Sequence, residues 1–333
     1  MGAVLLLLFS FAVILVGALV FTNAVEWAGH KLAMGQGAVG SLLAAVGTAM
    51  PETLIPIVAI IGGAEGSEDV AIGAIIGAPF LLATIAMALV GTSALIYRKR
   101  REQGTELRAH KPTLERDLVF FLLFFALGVA VGAADLPDWL QIPLIVLFVV
   151  AYAYYVRRTL LGGGDVQDAE DIGPLILDRT PHRDDPKGSL VVLQFVLGLG
   201  AIVGGAHLFV EQLLHVADDA GIDPLVLSLI LAPLATELPE KANSFFWVRE
   251  GKDSLALGNI TGAMVFQSTI PIAFGLALTD WDLDRYAIVS GCLGLAGGVI
   301  AYIALHRIGR FRWPAIVAWS ALFGAFLVYV SVS

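Results

Sequence analysis

The sequence predicts an all-α integral membrane protein, ten transmembrane helices arranged as two inverted five-helix repeats. Three observations carry that expectation. Of 333 residues, 58% are apolar and only 15% charged, whereas a soluble domain carries about a quarter charged residues. Ten apolar runs each approach the ~20 residues needed to span a bilayer; they fall at 2–25, 37–61, 70–96, 117–134, 139–157, 189–214, 224–248, 255–279, 286–305 and 313–331. Positive charge then alternates from one connection to the next, as it does when Lys and Arg gather in cytoplasmic loops. The composition excludes nucleic-acid binders, disordered regulators and ordinary cytosolic enzymes. A single cysteine, Cys292, excludes a disulfide framework and a Cys-based metal site.

The first run lacks a basic n-region and a small-residue cleavage site, so it reads as a true span rather than a signal peptide. Asn23 and Glu26 close it at an interface. After it come Lys31 and the second and third runs, and then the basic stretch from Arg98 to Arg116. The fourth run carries an aromatic stretch, Phe120 to Phe125, suited to packing or to lipid. The fifth ends in Arg157 and Arg158, and the segment that follows contains Arg179, Arg183 and Lys187. Arg249 and Lys252 separate the seventh and eighth runs; Arg307, Arg310 and Arg312 separate the last two. These odd connections hold 18 of the 20 basic residues. The even connections are acidic, with Glu65, Glu68, Asp69, Asp135, Asp138, Asp218, Asp219, Asp223, Asp280, Asp282 and Asp284, and Arg285 as their one basic residue. Connections 97–117 and 157–188 are therefore expected in the cytoplasm of a multi-pass cell-membrane protein, with both termini outside.

Residues 161–188, rich in Gly, Asp, Arg and Pro, read as a cytoplasmic linker between repeats at 1–160 and 189–333. A solvated tether is one reading; a regulatory ion site built from Asp165, Asp168, Glu170 and Asp171 is the other. Sliding the second repeat over the first by 188 residues aligns Gly17 with Gly205, Phe21 with Phe209, Thr48 with Thr236, Pro51 with Pro239 and Glu52 with Glu240. An offset of 185 then pairs Gly73 and Gly77 with Gly258 and Gly262. Five helices is an odd number, so the second copy enters the membrane upside down. Inverted repeats with interrupted helices are the plan of secondary transporters, whose site lies near the midplane where the repeats meet.

Two stretches carry the chemistry: Gly47-Thr48-Ala49-Met50-Pro51-Glu52 and Ala235-Thr236-Glu237-Leu238-Pro239-Glu240. Proline has no N–H and its ring clashes with the carbonyl four residues earlier. Pro51 and Pro239 are thus expected to release the carbonyls of Gly47 and Ala235, which at membrane depth are tolerated only against protein or a water-filled cavity. Thr48 and Thr236 lie one turn before Glu52 and Glu240, so hydroxyl, carboxylate and carbonyl point one way. Hard cations take oxygen shells of this kind. A structural, protonated Glu52–Glu240 pair is the bland alternative, but a charge at the bilayer centre costs at least ~2.5 kcal/mol, and here that cost recurs at symmetry-related positions.

These two stretches resemble the α-repeats of the calcium/cation antiporter superfamily, the sodium/calcium exchangers and their relatives, whose signature is Gly-Thr-Ser-Leu-Pro-Glu followed by Gly-Asn-x-x-Gly-Ser-Asn. The resemblance spans both repeats and implies that Glu52 and Glu240, with Thr48 and Thr236 beside them, bind the transported cations. This chain departs from the signature: Ala49 and Glu237 replace the serine, and Gly77-Ala78-Pro79 and Gly262-Ala263-Met264 replace Gly-Ser-Asn. Leu82 and Gln267 stand where the later Asn or Asp ligand is expected.

In the second repeat Glu237, Glu240 and Asn243 are spaced by three on one helix face. Lys241, four residues after Glu237, is placed for an intrahelical ion pair that would leave Glu52 and Glu240 uncompensated. Lys241 could instead snorkel toward the surface near Arg249, or its ammonium could occupy the space of one transported sodium. His207 and Glu211, one turn apart on the sixth helix, read as a packing pair or a proton relay, and Gly17, Gly204 and Gly205 as residues that let helices pack closely or slide.

Two carboxylates match one Ca2+, two Na+ or two protons. The leading expectation is a secondary active antiporter exchanging Ca2+ for Na+ or H+ by alternating access. The alternatives are a monovalent Na+/H+ exchanger and a transport-dead scaffold. An enzyme is not expected: the sequence has no H-E-x-x-H, no Gly-x-Ser-x-Gly and no paired-aspartate motif. No cofactor and no nucleic-acid partner are expected, only lipid and the transported cations.

Overall fold

A computed structural model describes residues 2–31, 44–107, 110–134, 137–161, 174–178, 186–308 and 311–332. Among these the chain is a set of long helices: α1 (Gly2–Lys31), α2 (Ala44–Gly62), α3 (Ser67–Leu81), α4 (Met87–Ile96), α5 (Lys111–Gly132), α6 (Gln141–Leu161), α7 (Gly188–Ala220), α8 (Pro224–Arg249), α9 (Asp253–Gln267), α10 (Ile270–Leu278), α11 (Arg285–Ile308) and α12 (Trp313–Val332). A π-helical segment, Leu82–Ala86, joins α3 to α4 without a break, and residues 268–269 separate α9 from α10. Where the apolar runs of the sequence are described, they fall mostly on helix. Seven of the rods are long and apolar enough to cross a membrane, while the stretches 51–62 and 224–237 are shorter apolar helices. α5 stands apart, since Lys111, Glu115, Arg116 and Asp117 all lie in its first two turns.

The outer surface is apolar, as a bilayer requires. α1 exposes Leu5, Phe9, Val16 and Leu19, and α6 exposes Ile142, Val146 and Val150. Gly73, Gly77, Ser228 and Thr236 are among the polar and small residues that face inward. α1 runs along α7 and α3 along α8, and α5 packs against α9 and α11, so the principal contacts cross between the two halves. The first of these contacts is reciprocal. A Cβ on Gly17 would stand 2.9 Å from the Ile202 backbone nitrogen, and one on Gly205 would stand 2.8 Å from Ile14 Cγ1. Ile14 and Ile202 are themselves related by the 188-residue offset, so each repeat presents the same glycine to the same isoleucine of the other. Gly204 meets nothing within 4 Å and takes no part in this approach.

Two expectations change. Interruption was expected at Pro51 and Pro239, but α2 runs through Pro51 and Pro56, and α8 runs through Pro233 and Pro239. A proline deletes one helical hydrogen bond, and packing on both flanks keeps the remaining turns. The departures from α geometry fall instead in the neighbouring rods, at Leu82–Ala86 and at Ser268–Thr269. The linker is also not wholly a solvated tether. Leu175 is 2% exposed and packs with Trp27 and Val191. The Ile176 and Leu177 amides donate to Asn23 Oδ1 at 3.2 Å and to Gln194 Oε1 at 2.9 Å. Asp165, Asp168, Glu170 and Asp171 lie outside the described residues.

Candidate cation site

Glu52 sits two turns into α2 with only 7% of its surface exposed. It lines a cavity of about 10 Å³ together with Ile55, Ala74, Ala78, Ala232, Pro233 and Thr236, roughly the space of one water molecule. The wall opposite the carboxylate is small because its residues are small. On α3, Gly73 and Gly77 bring the helix against the α8 backbone, where added Cβ atoms would come within 2.6 Å of the Leu225 carbonyl oxygen and 2.3 Å of the Leu229 carbonyl oxygen. Ser228 Oγ donates to the Val70 carbonyl at 2.6 Å and fixes the same contact. Thr236, 4% exposed, donates its hydroxyl to the Ala232 carbonyl at 3.2 Å, which leaves its lone pairs available to a cation or a water. Glu52 of one repeat and Thr236 of the other therefore meet at one cavity, and Pro51 is buried beside them.

A second charged group lies on α8, beginning at the residue after Thr236. Lys241 Nζ lies 3.2 Å from Glu237 Oε2, and the Gln267 amide donates to Glu237 Oε1 at 3.2 Å. All three side chains are buried, and Lys241 is 0% exposed. The snorkelling alternative for Lys241 is thereby ruled out: the residue lies two turns from the Arg249 end of α8, and its ammonium turns inward along the helix to the carboxylate one turn earlier. The side chains of Thr48, Pro239, Glu240 and Asn243 lie outside the described residues; their backbone is helical.

His207 and Glu211 do not form a buried packing pair. Both are on the exposed face of α7. Asn259, which follows Gly258 as Asn follows Gly in the signature, donates to Ser244 Oγ at 3.1 Å. Groups of at least three His, Cys, Asp or Glu side chains placed to hold a metal are absent among the described residues.

Two buried charged clusters had no counterpart in the sequence reading. Arg101 forms a bidentate pair with Asp253, both N–O distances 2.8 Å, and donates to the carbonyls of Val248, Gly104 and Glu106. Asp117 on α5, 2% exposed, accepts from Tyr155 Oη at 2.9 Å, Thr261 Oγ1 at 2.9 Å and Arg116 Nη2 at 3.0 Å. Asp253 opens α9 and Asp117 lies nearly two turns into α5, and neither cluster lies in a repeat motif.

Against known proteins, residues 2–161 and 190–332 match the family model described as sodium/calcium exchanger protein. Among curated relatives, a putative antiporter CaxA of Alkalimonas amylolytica is 23% identical over 87% of this chain and 86% of its own length. The sodium/calcium exchanger MaX1 of Methanosarcina acetivorans is 25% identical over 78% of this chain and 79% of its own. Among solved structures, an H+/Ca2+ exchanger CAX superposes with TM-score 0.73 at 22% identity, covering 98% of this chain and 82% of that one. The sodium-calcium exchanger NCX_Mj, soaked without Na+ and Ca2+, gives 0.56 at 19% identity, covering 99% and 97%.

Proposed function

The chain belongs to the sodium/calcium exchanger family, and from that premise we propose that this multi-pass cation antiporter exchanges Ca2+ for Na+ or H+, with Glu52 and Glu240 as the ion-binding carboxylates. The observation that carries the reading is the cavity where Glu52 meets Thr236 of the opposite repeat. Glu240 joins by symmetry, at the position on α8 that Glu52 holds on α2, and Thr48 by the same relation to Thr236. The relatives' names, an H+/Ca2+ exchanger and sodium/calcium exchangers among them, supply the cation class.

The mechanism follows from charge. Two carboxylates in a low-dielectric centre need two positive charges, which one Ca2+, two Na+ or two protons provide, so a two-for-one exchange keeps every occluded state neutral. Proton coupling is chemically easy because burial disfavours an empty carboxylate's charged form. Alternating access requires the helices around Glu52 to part on each side in turn; the close glycine contacts between α1 and α7 are the surfaces on which such movement would occur. The basic residues of loops 97–117 and 157–188 support a cytoplasmic position for both, with the two termini outside.

A second reading, Na+ exchanged for H+, draws on the scarcity of side-chain oxygens among the described residues around Glu52, where Ala74, Ala78, Ala232 and Pro233 form most of the wall. One experiment separates the two. ⁴⁵Ca²⁺ uptake into proteoliposomes is driven by an outward Na+ gradient and, separately, by an outward H+ gradient. Uptake under one gradient identifies the coupling ion. In Glu52→Gln and Glu240→Gln it is expected to fall by more than the ~10–100-fold that loss of an outer-shell partner costs a metal site. No Ca2+ uptake under either gradient would overturn the calcium assignment and leave Na+/H+ exchange to be assayed with the same vesicles.

A further inference from the structure

Lys241 is a fully buried ammonium in the middle of a cation transporter, and neither helix stability nor general packing accounts for it. At the equivalent positions of the first repeat, Ala49 stands for Glu237 and Thr53 for Lys241. The first repeat therefore builds its equivalent helix without the pair, so the helix itself does not require these two charges. A buried ion pair brings little net stability, because desolvation of both ions offsets most of their attraction.

Its location is specific. Glu237 follows Thr236, which lines the Glu52 cavity, and Lys241 follows Glu240. The pair thus occupies the stripe of α8 about 100° around from the Thr236–Glu240 stripe. Its third member, Gln267, is the last residue of α9, where the rod breaks at Ser268 and Thr269. The Glu237 carboxylate is held on one oxygen by the Lys241 ammonium and on the other by the Gln267 amide, each at 3.2 Å. Without the lysine, that carboxylate would be a third anionic ligand beside the two proposed for transport. A tethered ammonium supplies one positive charge and up to three donors, which is what a dehydrated monovalent cation would supply at the same place.

We infer that Lys241 is a resident cation: it permanently fills a third, Glu237-based site, and so restricts the mobile charge to the two positive charges that Glu52 and Glu240 can take. This deepens the exchanger reading and rests on it. It assigns Lys241 the role of setting ion stoichiometry, and it makes the wild-type cycle electroneutral whichever monovalent ion drives it.

The test is Lys241→Met, which frees Glu237 while keeping a similar side-chain volume, beside Lys241→Arg, which keeps the charge, and the double variant Glu237→Gln/Lys241→Met, which removes the site altogether. In proteoliposomes with the membrane potential clamped by valinomycin and K+, the gradient at which net Ca2+ flux vanishes gives the number of monovalent ions per Ca2+. The expected ratio is two for the wild type and Lys241→Arg, rising to three for Lys241→Met, whose exchange then responds to voltage. In detergent, Lys241→Met is expected to gain a saturable, Na+-dependent rise in unfolding temperature beyond whatever rise the wild type and the double variant show through Glu52 and Glu240.

A Lys241→Met protein with an unchanged ratio and no new Na+ stabilisation overturns the inference. So does failure of both Lys241→Met and the double variant to yield monodisperse protein, since the pair would then be needed for folding. The detergent measurement requires no transport. A wild type inactive with Ca2+ would therefore sink the exchanger reading while leaving the lysine inference separately decided.

Discussion

Glu52 and Thr236 could be read as partners because they are repeated: one offset of the sequence against itself isolated the same Thr-x-x-Pro-Glu at two places. The buried pair of Arg101 and Asp253 gave no such sign. Arg101 sits in the most basic connection of the chain, where counting charge treats every residue as solvated, yet its side chain is 0% exposed and that of Asp253 only 2%. Its guanidinium satisfies carbonyls from Val248, Gly104 and Glu106 as well as both oxygens of Asp253, tying the connection after α4 to the start of α9. Removing one partner leaves the other charge buried and uncompensated, which costs ~3–5 kcal/mol. Arg101→Met is therefore expected to lower the unfolding temperature in detergent sharply. A double variant, Arg101→Met/Asp253→Leu, is expected to recover most of the loss, because a buried pair replaced by apolar residues is close to neutral. An Arg101→Met protein as stable as the wild type would show that the pair is not what holds this connection. The Asp117 cluster was missed for a related reason: Asp117 stood at the edge of an apolar run, and its partners Tyr155 and Thr261 come from helices far along the sequence.

At the scale of elements, the helices were legible from hydropathy and the positions of their irregularities were not. The prolines beside Glu52 and Glu240 pointed to breaks there. The chain instead departs from α geometry at Leu82–Ala86 and, 185 residues later, at Ser268–Thr269. The symmetry is in the backbone and in two hydroxyls: Thr84 Oγ1 donates to the Phe80 carbonyl at 2.7 Å, and Thr269 Oγ1 to the Val265 carbonyl at 2.8 Å. Threonines that bond back to the carbonyl four residues earlier bend helices. Leu82 facing Gln267 in the alignment concealed the relation. Close helix packing was expected at Gly17, Gly204 and Gly205; the α1–α7 contact bears it out for Gly17 and Gly205 and not for Gly204, and it gives a sharp prediction. Gly17→Ala places a methyl 2.9 Å from a backbone nitrogen and 3.0 Å from Ala201 Cβ, where no flexible side chain can yield. Overpacking of this kind costs about 1–3 kcal/mol. Gly17→Ala and Gly205→Ala are each expected to lower thermal stability and the initial rate of cation uptake. Gly204→Ala, which meets nothing within 4 Å, is expected to leave the rate alone and to gain up to ~1 kcal/mol from helix propensity. Equal effects at all three glycines would mean that propensity, not close approach, governs these positions.

For the molecule as a whole, the two repeats were expected at 1–160 and 189–333, and the contacts argue that neither could stand alone. The largest core cluster draws Phe80, Phe121 and Phe125 from one half and Leu229, Ile260 and Ile272 from the other. Gly73 and Gly77 lie on the α8 backbone, while Trp281, from the second half, donates its indole N–H to the Gly128 carbonyl at 3.1 Å and lies within contact of Gly132. Against this shared interior the described part of the linker contributes one docked stretch, held by Leu175, Asn23 and Gln194. Association of the halves should therefore need the tether only for effective concentration, which a short flexible connection raises to about the millimolar range. Residues 1–160 and 189–333 expressed as two chains in one membrane are expected to co-purify through a tag on either, and to restore part of the uptake of the intact chain. Each half made alone is expected to be degraded or aggregated, because the faces of α3 and α8 that bury each other would be left against lipid with their close-approach glycines and the Ser228 hydroxyl unpartnered. A single half that purifies as a monodisperse species would contradict the shared core. Co-purification without transport would place the linker clip, which the division removes, among the parts the exchange cycle requires.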